Sequence, residues 1–237
     1  MEKGFEIKIY STTSHSTINH PVFKHVVPPQ YSSTYNIFHI KYDEKGSRAL
    51  ELLQEGPPLH VWNMNEDLSV TIVNPVYGEI LPSVIKQLSN RSIILAGDVQ
   101  GFLRLRRNRL IILYPDEQMF ESIRMLRLVH VDIEEARALT SEQNTRHVAF
   151  KLKDIFNDQI IDVTNGPSNI ILIYDGRIEE GYHAGESYPD TTGAGDFFLG
   201  SLTSYYLITN DILESVHKSV VETERWLAKK GFGFHRA

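Results

Sequence analysis

The residues best suited to chemistry form one short stretch, residues 190–196, with the sequence Asp-Thr-Thr-Gly-Ala-Gly-Asp, at the head of an apolar segment typical of a helix. The first N–H groups of a helix have no partners within it and lie at the positive end of the helix dipole. Because Gly193, Ala194 and Gly195 carry almost no side chain, an anion can approach these groups closely. The carboxylate of Asp196 would lie beside that anion, where it can accept a proton from an attacking hydroxyl. The stretch therefore predicts an anion hole for phosphate with a general base next to it.

The beginning of this stretch is open to other interpretations. Asp190 lies just outside the predicted helix, where it could orient Thr191 or Thr192 or meet the water shell of a metal. Asp or Thr before Gly-Ala-Gly can also be a simple helix cap, with Asp196 stabilising the helix dipole. In that case the chain would be a generic α/β ligand-binding domain, and the stretch would have no catalytic role.

The elements that must position this stretch are buried strands that alternate with helices from residue 59 onward. Strands are predicted at 59–62, 70–73, 93–96, 110–113, 128–131 and 160–163, helices at 79–88, 116–124, 133–139, 194–207 and 211–229, and a hairpin at 170–174 and 178–183 over Asp175-Gly176. This alternation predicts a parallel sheet covered on both faces. Ligands of such sheets bind beyond the carboxyl ends of the strands, so we expect the site there.

The first 56 residues have a different, β-rich pattern. Phe5–Tyr10 alternates apolar and charged residues, as a half-buried strand does. Residues 35–42 and 48–53 are apolar runs on either side of Gly46, which predicts a β-hairpin. The sequence Gly56-Pro-Pro then interrupts the pattern, so we expect a boundary between a small β unit and a larger domain at this point.

The composition excludes several classes of protein. The 237 residues carry a net charge of −6 and no cysteine, which removes disulfides, thiolate metal sites and thiol nucleophiles. One basic run, residues 104–109, in an acidic chain is poor support for nucleic-acid binding. Arg104 could lie near phosphate or an acidic acceptor, whereas we favour a solvated turn for Arg106, Arg107 and Arg109. No apolar stretch approaches the roughly 18 residues of a membrane span. With no membrane partner expected, a cytoplasmic protein is the default prediction.

The eight residues 190–197, Asp-Thr-Thr-Gly-Ala-Gly-Asp-Phe, resemble the C-terminal signature of the ribokinase-like (PfkB) family of carbohydrate and nucleoside kinases. Residues 131–136 resemble the family's Asn-x-x-Glu stretch, and residues 163–169 resemble its Thr-x-Gly-x-x-Gly loop, in the family's order. Residues 98–104 and 74–80 look most like the inositol-kinase-like branch.

The resemblance spans residues 35–237 and implies a ribokinase-like three-layer α/β/α domain with a central, mostly parallel sheet and a small, reduced β lid. It implies transfer of the γ-phosphoryl group of ATP, with Mg²⁺, to a hydroxyl of a sugar, a cyclitol or a nucleoside. By this match Asp196 is the catalytic base, and Gly193, Ala194 and Gly195 form the anion hole. The other implied roles are nucleotide binding by Thr164, Gly166, Thr192 and Val220, substrate or phosphate binding by Asp190, Asp98 and Gln100, and magnesium binding by Glu135, through water, with Asp132, which replaces the usual Asn.

The sequence departs from the family at its beginning. The family normally opens with a strand and a Gly-Gly and Asn stretch that grips the sugar, yet no glycine occurs between Gly4 and Gly46. We therefore expect the first βαβ portion to be missing, through a mis-set start, a deletion with a rebuilt acceptor site, or lost activity. The expected division is a β-rich lid and partial acceptor region at 1–56 and a nucleotide-binding and catalytic domain at 57–237.

Two further expectations follow from these departures. The alternative function is a catalytically impaired nucleotide-binding or regulatory protein on the same fold. Because unpaired strand edges seek partners, a homodimer formed through the β lid is also expected.

Overall fold

The computed structural model describes residues 4–13, 30–42, 48–60, 67–166, 169–182, 188 and 190–233. The strands are β1 (Thr12–Thr13), β2 (Gln30–Tyr31), β3 (Ile37–Tyr42), β4 (Arg48–Gln54), β5 (Leu68–Val73), β6 (Ser92–Asp98), β7 (Arg104–Arg107), β8 (Leu110–Leu113), β9 (Leu128–Asp132), β10 (Ile160–Thr164), β11 (Ile170–Tyr174) and β12 (Arg177–Tyr182). The helices are α1 (Pro82–Ser89), α2 (Gln100–Leu103), α3 (Glu117–Arg124), α4 (Ile133–Thr140), α5 (Thr145–Ile155), α6 (Ala194–Thr209) and α7 (Ile212–Gly233).

The centre of the molecule is a six-stranded sheet in the order β12-β11-β10-β9-β6-β5. Strands β5, β6, β9 and β10 run parallel, and the hairpin of β11 and β12 adds two antiparallel strands at one edge. In a strand, successive side chains point to opposite faces, so an unbroken apolar run can fill two cores at once. The predicted three-layer α/β/α fold with a mostly parallel sheet is confirmed.

The two hydrophobic cores lie on opposite faces of this sheet. Leu95, Val129 and Ile161 face the first core, which is covered by α1, α3, α4 and α5. Their neighbours Ala96, Leu128 and Ile160 face the second core, which α6 and α7 cover. Two residues beyond these three positions, the α6 side of the sheet carries polar residues instead, and this change marks the beginning of the candidate site.

The lid is a second sheet of four strands in the order β3-β4-β8-β7. The predicted hairpin of β3 and β4 is confirmed as an antiparallel pair, while its turn at residues 43–47 lies outside the described residues. Strands β7 and β8 follow the predicted boundary at residue 56 in the chain, so the lid sheet takes strands from both sides of that boundary. The division at residue 56 itself stays a prediction.

A small hydrogen-bond network joins the lid to the central domain. The Asn36 side chain donates to Glu79 Oε1 at 2.7 Å and to the Tyr77 carbonyl, and its own oxygen accepts the N–H of Gly56 at 2.7 Å. The second oxygen of Glu79 accepts the N–H groups of Val76 and Tyr77. Because Glu79 is engaged in this turn, the helix predicted to begin there begins instead at Pro82, a residue that suits the first turn of a helix.

Several local predictions are wrong or untested. Phe5–Tyr10 is not a strand, since only Ile9 forms a bridge there, and residues 59–60 are not in a strand, while 61–62 lie outside the described residues. Residues 104–107 form β7 rather than a turn, and the turn lies at Asn108, whose φ is 59°. Helix α5 was not predicted, and its N-cap Asn144 accepts from the N–H groups of Arg146 and His147.

None of the described helices combines the length and apolar character needed to cross a bilayer.

Candidate active site

The site is built around the beginning of α6. Gly193 has a φ of 81°, in the left-handed region that favours glycine, and it turns the chain into the helix. The N–H of Ala194 donates to the Thr191 carbonyl at 2.9 Å, and the first bond within the helix runs from Phe197 N–H to the Gly193 carbonyl at 3.0 Å. The N–H groups of Gly195 and Asp196 have no acceptor among the described residues. These two donors are therefore available to an anion at the positive end of the helix.

The Asp196 side chain is exposed at this helix end and is held by a distant residue. Asn74, which follows β5, donates from Nδ2 to Asp196 Oδ1 at 2.9 Å. The contact joins residues 122 positions apart in the chain. The second carboxylate oxygen of Asp196 has no hydrogen bond among the described residues. A carboxylate oriented in this way, next to free N–H groups, has the geometry expected of a general base in phosphoryl transfer.

Beneath the first turn of α6, three polar side chains form a row across neighbouring strands. The register pairs Asp98 of β6 with His130 of β9, and His130 with Asp162 of β10. Residues paired across parallel strands point to the same face, and here that face is the one covered by α6. His130 Nδ1 lies 2.5 Å from Asp162 Oδ1, and both side chains are almost fully buried.

The sequence predictions included Asp98 but missed His130 and Asp162. A signal was present, because both interrupt apolar strands at the same position, two residues after Leu128 and Ile160. A polar residue in a strand buried on both faces must find a partner, so their pairing could have been inferred from the aligned spacing.

The charges of this row shift the proton affinities of its members. Burial alone would lower the pKa of His130, but the carboxylates of Asp162, Asp98 and Glu135 outweigh burial and raise it to about 9. Burial raises the pKa of Asp98, although His130 opposes that shift. Burial, followed by the charge of Asp98, raises the pKa of Glu135 to about 7. At neutral pH His130 is therefore an imidazolium ion surrounded by acidic groups.

Asp132 and Glu135, the predicted magnesium residues, are joined in a capping box at the beginning of α4. The Glu135 carboxylate accepts the N–H of Asp132 at 3.1 Å, and Asp132 Oδ1 accepts the N–H of Glu134 at 2.8 Å. Both residues line the same cleft as Asp196. The described part of the chain contains no group of three or more His, Asp or Glu side chains arranged to hold a metal ion directly.

Most of the predicted residues converge on one cleft of about 830 Å³ between the lid and the ends of the central strands. Those that line it are Asp98, Gln100, Asp132, Glu135, Thr164, Gly166, Gly193, Ala194, Gly195, Asp196 and Val220. The lid contributes Leu50, Ile111 and Leu113. Gly166 has a φ of 53°, which accounts for the glycine at that position of the loop after β10.

Gln100 and Arg104 connect the cleft to the lid. The Arg104 guanidinium donates to Gln100 Oε1 at 2.5 Å and to the Val76 carbonyl at 3.0 Å. The N–H of Gln100 in turn donates to Asp98 Oδ1 at 2.7 Å. These bonds form a continuous chain from the buried row to the first lid strand after β6.

Two predicted residues, Asp190 and Thr192, lie outside the lining of the cleft and belong to an exposed cluster with α7. Lys230 Nζ lies 2.7 Å from Asp190 Oδ2 and donates to the Thr192 carbonyl at 2.8 Å. The hydrogen bond from Lys230 is the main cause that lowers the pKa of Asp190 to about 2. Next to them, the rings of Phe197 and Trp226 stack with centroids 5.0 Å apart.

The fold is similar to that of solved ribokinase-family kinases. A pyrophosphate-dependent kinase of that family matches with a TM-score of 0.80 and 21% identity, over 95% of this chain and 82% of the other. A pyrophosphate-dependent myo-inositol-1 kinase converted by two mutations into a myo-inositol-3 kinase matches at 0.79 and 20%, over 94% and 80%. An adenosine kinase from Schistosoma mansoni matches at 0.71 and 15%, over 92% and 73%. No protein-family model and no curated protein matches the sequence. The chain therefore has the ribokinase-like fold, in agreement with the resemblance inferred from residues 190–197.

Proposed function

We propose that this protein is a PfkB-type carbohydrate kinase, a phosphotransferase that acts on an alcohol group of a small molecule. The observation that carries the proposal is the arrangement at the beginning of α6. Two N–H groups, of Gly195 and Asp196, have no acceptor in the described part of the chain and lie beside a carboxylate that Asn74 orients. Phosphoryl transfer consists mostly of positioning and charge stabilisation, so these few groups are sufficient for it.

The proposed reaction uses each of these groups once. The acceptor hydroxyl gives its proton to Asp196 as its oxygen forms a bond to the transferred phosphorus, and the bond from phosphorus to the leaving phosphate oxygen breaks. The N–H groups at the head of α6 stabilise the charge on the oxygens of the transferred group. Gly193, Ala194 and Gly195 were predicted to form the anion hole together. Because the Ala194 N–H already has a partner, the proposed contribution of Ala194, like that of Gly193, is the small size that lets the anion approach.

ATP is the proposed donor, and the cleft has surfaces suited to it. Val220, Leu227 and Ile170 offer apolar surface for a base, and Thr164 and Gly166 lie at the adjoining strand end. Pyrophosphate is the second candidate donor, because the similar structures include pyrophosphate-dependent kinases. The proposed acceptor class is a sugar, a cyclitol or a nucleoside, and a myo-inositol kinase and an adenosine kinase are among the similar structures.

The residues of the cleft fit a magnesium ion that is bound mainly through the donor phosphates and water. Asp132 and Glu135 line the cleft but each has an oxygen engaged in the helix cap. Mg²⁺ keeps several waters and commonly uses one or two carboxylates together with substrate phosphates. In this proposal Glu135, with Asp132, would orient that water shell, and the ion would supply neutralisation of the phosphate charge.

The proposal is tested by assaying sugars, inositols and nucleosides with ATP and with pyrophosphate, each with Mg²⁺. Transfer to at least one acceptor is expected. Asp196→Asn should lower kcat by about 10²- to 10⁴-fold, because the general base is lost. Asp175→Asn is the matched control, since Asp175 lies in the exposed turn of the β11–β12 hairpin with a left-handed φ of 46° that asparagine tolerates.

The other outcomes separate the alternatives. Binding of ATP without transfer to any acceptor, water included, would support the impaired or regulatory protein. If neither donor binds, the kinase proposal is wrong.

The predicted homodimer also remains a proposal, supported by the surface of the lid. Apolar side chains of the lid strands, Ile40, Leu53, Leu105 and Leu110, are each 46–51% exposed. Strands β3 and β7 are the edges of that sheet. Light scattering should give twice the mass of the 27.1 kDa chain, and a monomer would contradict the proposal.

A further inference from the structure

His130 lies directly beneath Gly195, whose N–H is one of the two donors of the anion site. A Cβ added to Gly195 would lie 2.8 Å from His130 Nε2, closer than such atoms approach in folded proteins. The φ of Gly195 is not in the left-handed region, so its backbone alone does not require glycine. The close approach of the imidazole ring is thus the physical reason for glycine at this position.

The imidazole ring is fixed from its other side. Nδ1 contacts the carboxylate of Asp162, which is fully buried on the neighbouring strand. The ring also packs against Phe198 of α6, with ring centroids 5.9 Å apart. His130 is therefore held in one orientation, with Nε2 directed toward the first turn of α6.

The Asp162 carboxylate also indicates that this pair is not a simple filler of the core. Its Oδ2 is buried and has no hydrogen-bond partner among the described residues. Burying such a group costs free energy, and an apolar pair would fill the same space more favourably. This cost is expected where a site needs an oriented polar ring.

We propose that His130, oriented by Asp162, is a positioning residue that sets the height of the first turn of α6 above the sheet and so places the N–H groups of Gly195 and Asp196 for phosphate. The inference rests on the proposed function, because it assigns a role within that anion site. It does not make His130 a catalytic residue.

Two conservative substitutions separate the two contacts of the ring. The side-chain amide of asparagine can take the place of Nδ1, so His130→Asn keeps a donor to Asp162 but withdraws the Nε2 end from Gly195. His130→Gln reaches toward Gly195 but gives up the donor at the Nδ1 position. His147→Asn is the matched control, because the His147 side chain is 68% exposed on α5.

The decisive experiment is a double-mutant cycle of Gly195→Ala and His130→Asn. Gly195→Ala alone should weaken the binding of inorganic pyrophosphate and lower kcat by about a hundredfold, since a misplacement of about 1 Å at a reacting site can cost that much. In the His130→Asn background, Gly195→Ala should lower pyrophosphate binding and kcat by less than about threefold each, because the added methyl group no longer meets the imidazole ring. Equal losses in the two backgrounds would overturn the proposal.

A second measurement, the comparison of kcat with the acceptor KM, separates a positioning role from a purely structural one. His130→Asn should lower kcat at saturating acceptor by about tenfold or more while leaving the acceptor KM within about twofold, because only the phosphate side of the cleft is displaced. His130→Gln should retain more activity than His130→Asn. The opposite order, or a loss confined to the acceptor KM, would overturn the proposal.

Failure of this inference can be distinguished from failure of the proposed function. The coupling between Gly195→Ala and His130→Asn can also be measured without turnover. Calorimetry measures it through pyrophosphate binding, and thermal unfolding measures it through the midpoint. If the protein transfers phosphate to no acceptor but the cycle shows coupling in these readings, the kinase proposal fails and the positioning role stands. If it is active and no coupling appears, only the positioning role is overturned.

Discussion

The beginning of α6 is supported by two charged pairs of opposite character. On the inside, His130 and Asp162 form a pair whose side chains are 4% and 0% exposed. On the outside, Lys230 and Asp190 form a pair whose side chains are 22% and 40% exposed. Both pairs have short contacts, of 2.5 Å and 2.7 Å. Contact distance therefore does not distinguish them, and the difference in solvent access decides how much each contributes.

The physical consequence differs for the two environments. Exposed pairs gain little, because water screens their attraction and ordering two long side chains costs entropy. In a buried pair, removing one partner leaves the other without compensation in a medium of low dielectric constant. The sequence motif contains only the outer partner, Asp190, whereas the structure indicates that the inner pair holds the site.

The largest expected effect comes from breaking the inner pair. Asp162→Ala should lower the free energy of unfolding by about 3–5 kcal/mol, because it leaves the buried His130 without its partner. Urea denaturation at pH 7 measures the change. Asp158→Ala, in the exposed turn before β10, is the control and should have almost no effect. Equal stability of the two variants would contradict the distinction drawn between inner and outer pairs.

An intermediate effect is expected from pH, and its sign follows from the raised pKa of His130. The folded protein holds this proton up to a pH of about 9, whereas an ordinary histidine releases it near 6.5. The stability from the inner pair is thus complete below pH 6.5 and is lost as pH rises through 9. The thermal midpoint of the wild type should fall over this range more steeply than that of His130→Asn. Parallel curves would show that the pair contributes nothing.

The smallest effect is expected from the outer pair. Lys230→Gln should leave kcat within about twofold of the wild type, because an exposed ion pair contributes little. The lowered pKa of Asp190 places any loss of stability on the acid side, below pH 3.8 and toward 2, away from the range in which the inner pair titrates. A loss of activity comparable to that of Gly195→Ala would show that the outer pair, too, positions the site.

The order of strands and helices could be predicted from local patterns, because buried strands are apolar runs and helix termini carry their own signals. Asp116 illustrates this, since it caps α3 where a helix was predicted to begin. Phe5–Tyr10 shows the limit of the pattern, because alternation indicates a strand only where a neighbouring strand is available to pair with it.

The candidate site was predicted where its chemistry lies within one segment, and missed where it depends on pairing between segments. The stretch from Gly193 to Asp196 carries its own signature in the chain. The contact of Asn74 with Asp196, and the row through His130, depend on strand order and register. Those properties arise only when the sheet forms. The polar residues that interrupt the apolar strands were a signal of the row, but only for strands already aligned side by side, and no local pattern indicated the contact of Asn74 with Asp196.

The segment that connects the central sheet to the lid is short and closely packed. Strand β6 ends at Asp98 and β7 begins at Arg104, with only α2 between them. A Cβ on Gly101 of that helix would lie 2.4 Å from the Pro75 backbone, so α2 is pressed against its neighbours. The lid is thus joined to the central domain in two places, through the short helix α2 and through the hydrogen bonds of Asn36 with Tyr77 and Glu79. Any displacement of Arg104 relative to the central sheet would have to break, or carry with it, the hydrogen bonds that lead through Gln100 to Asp98.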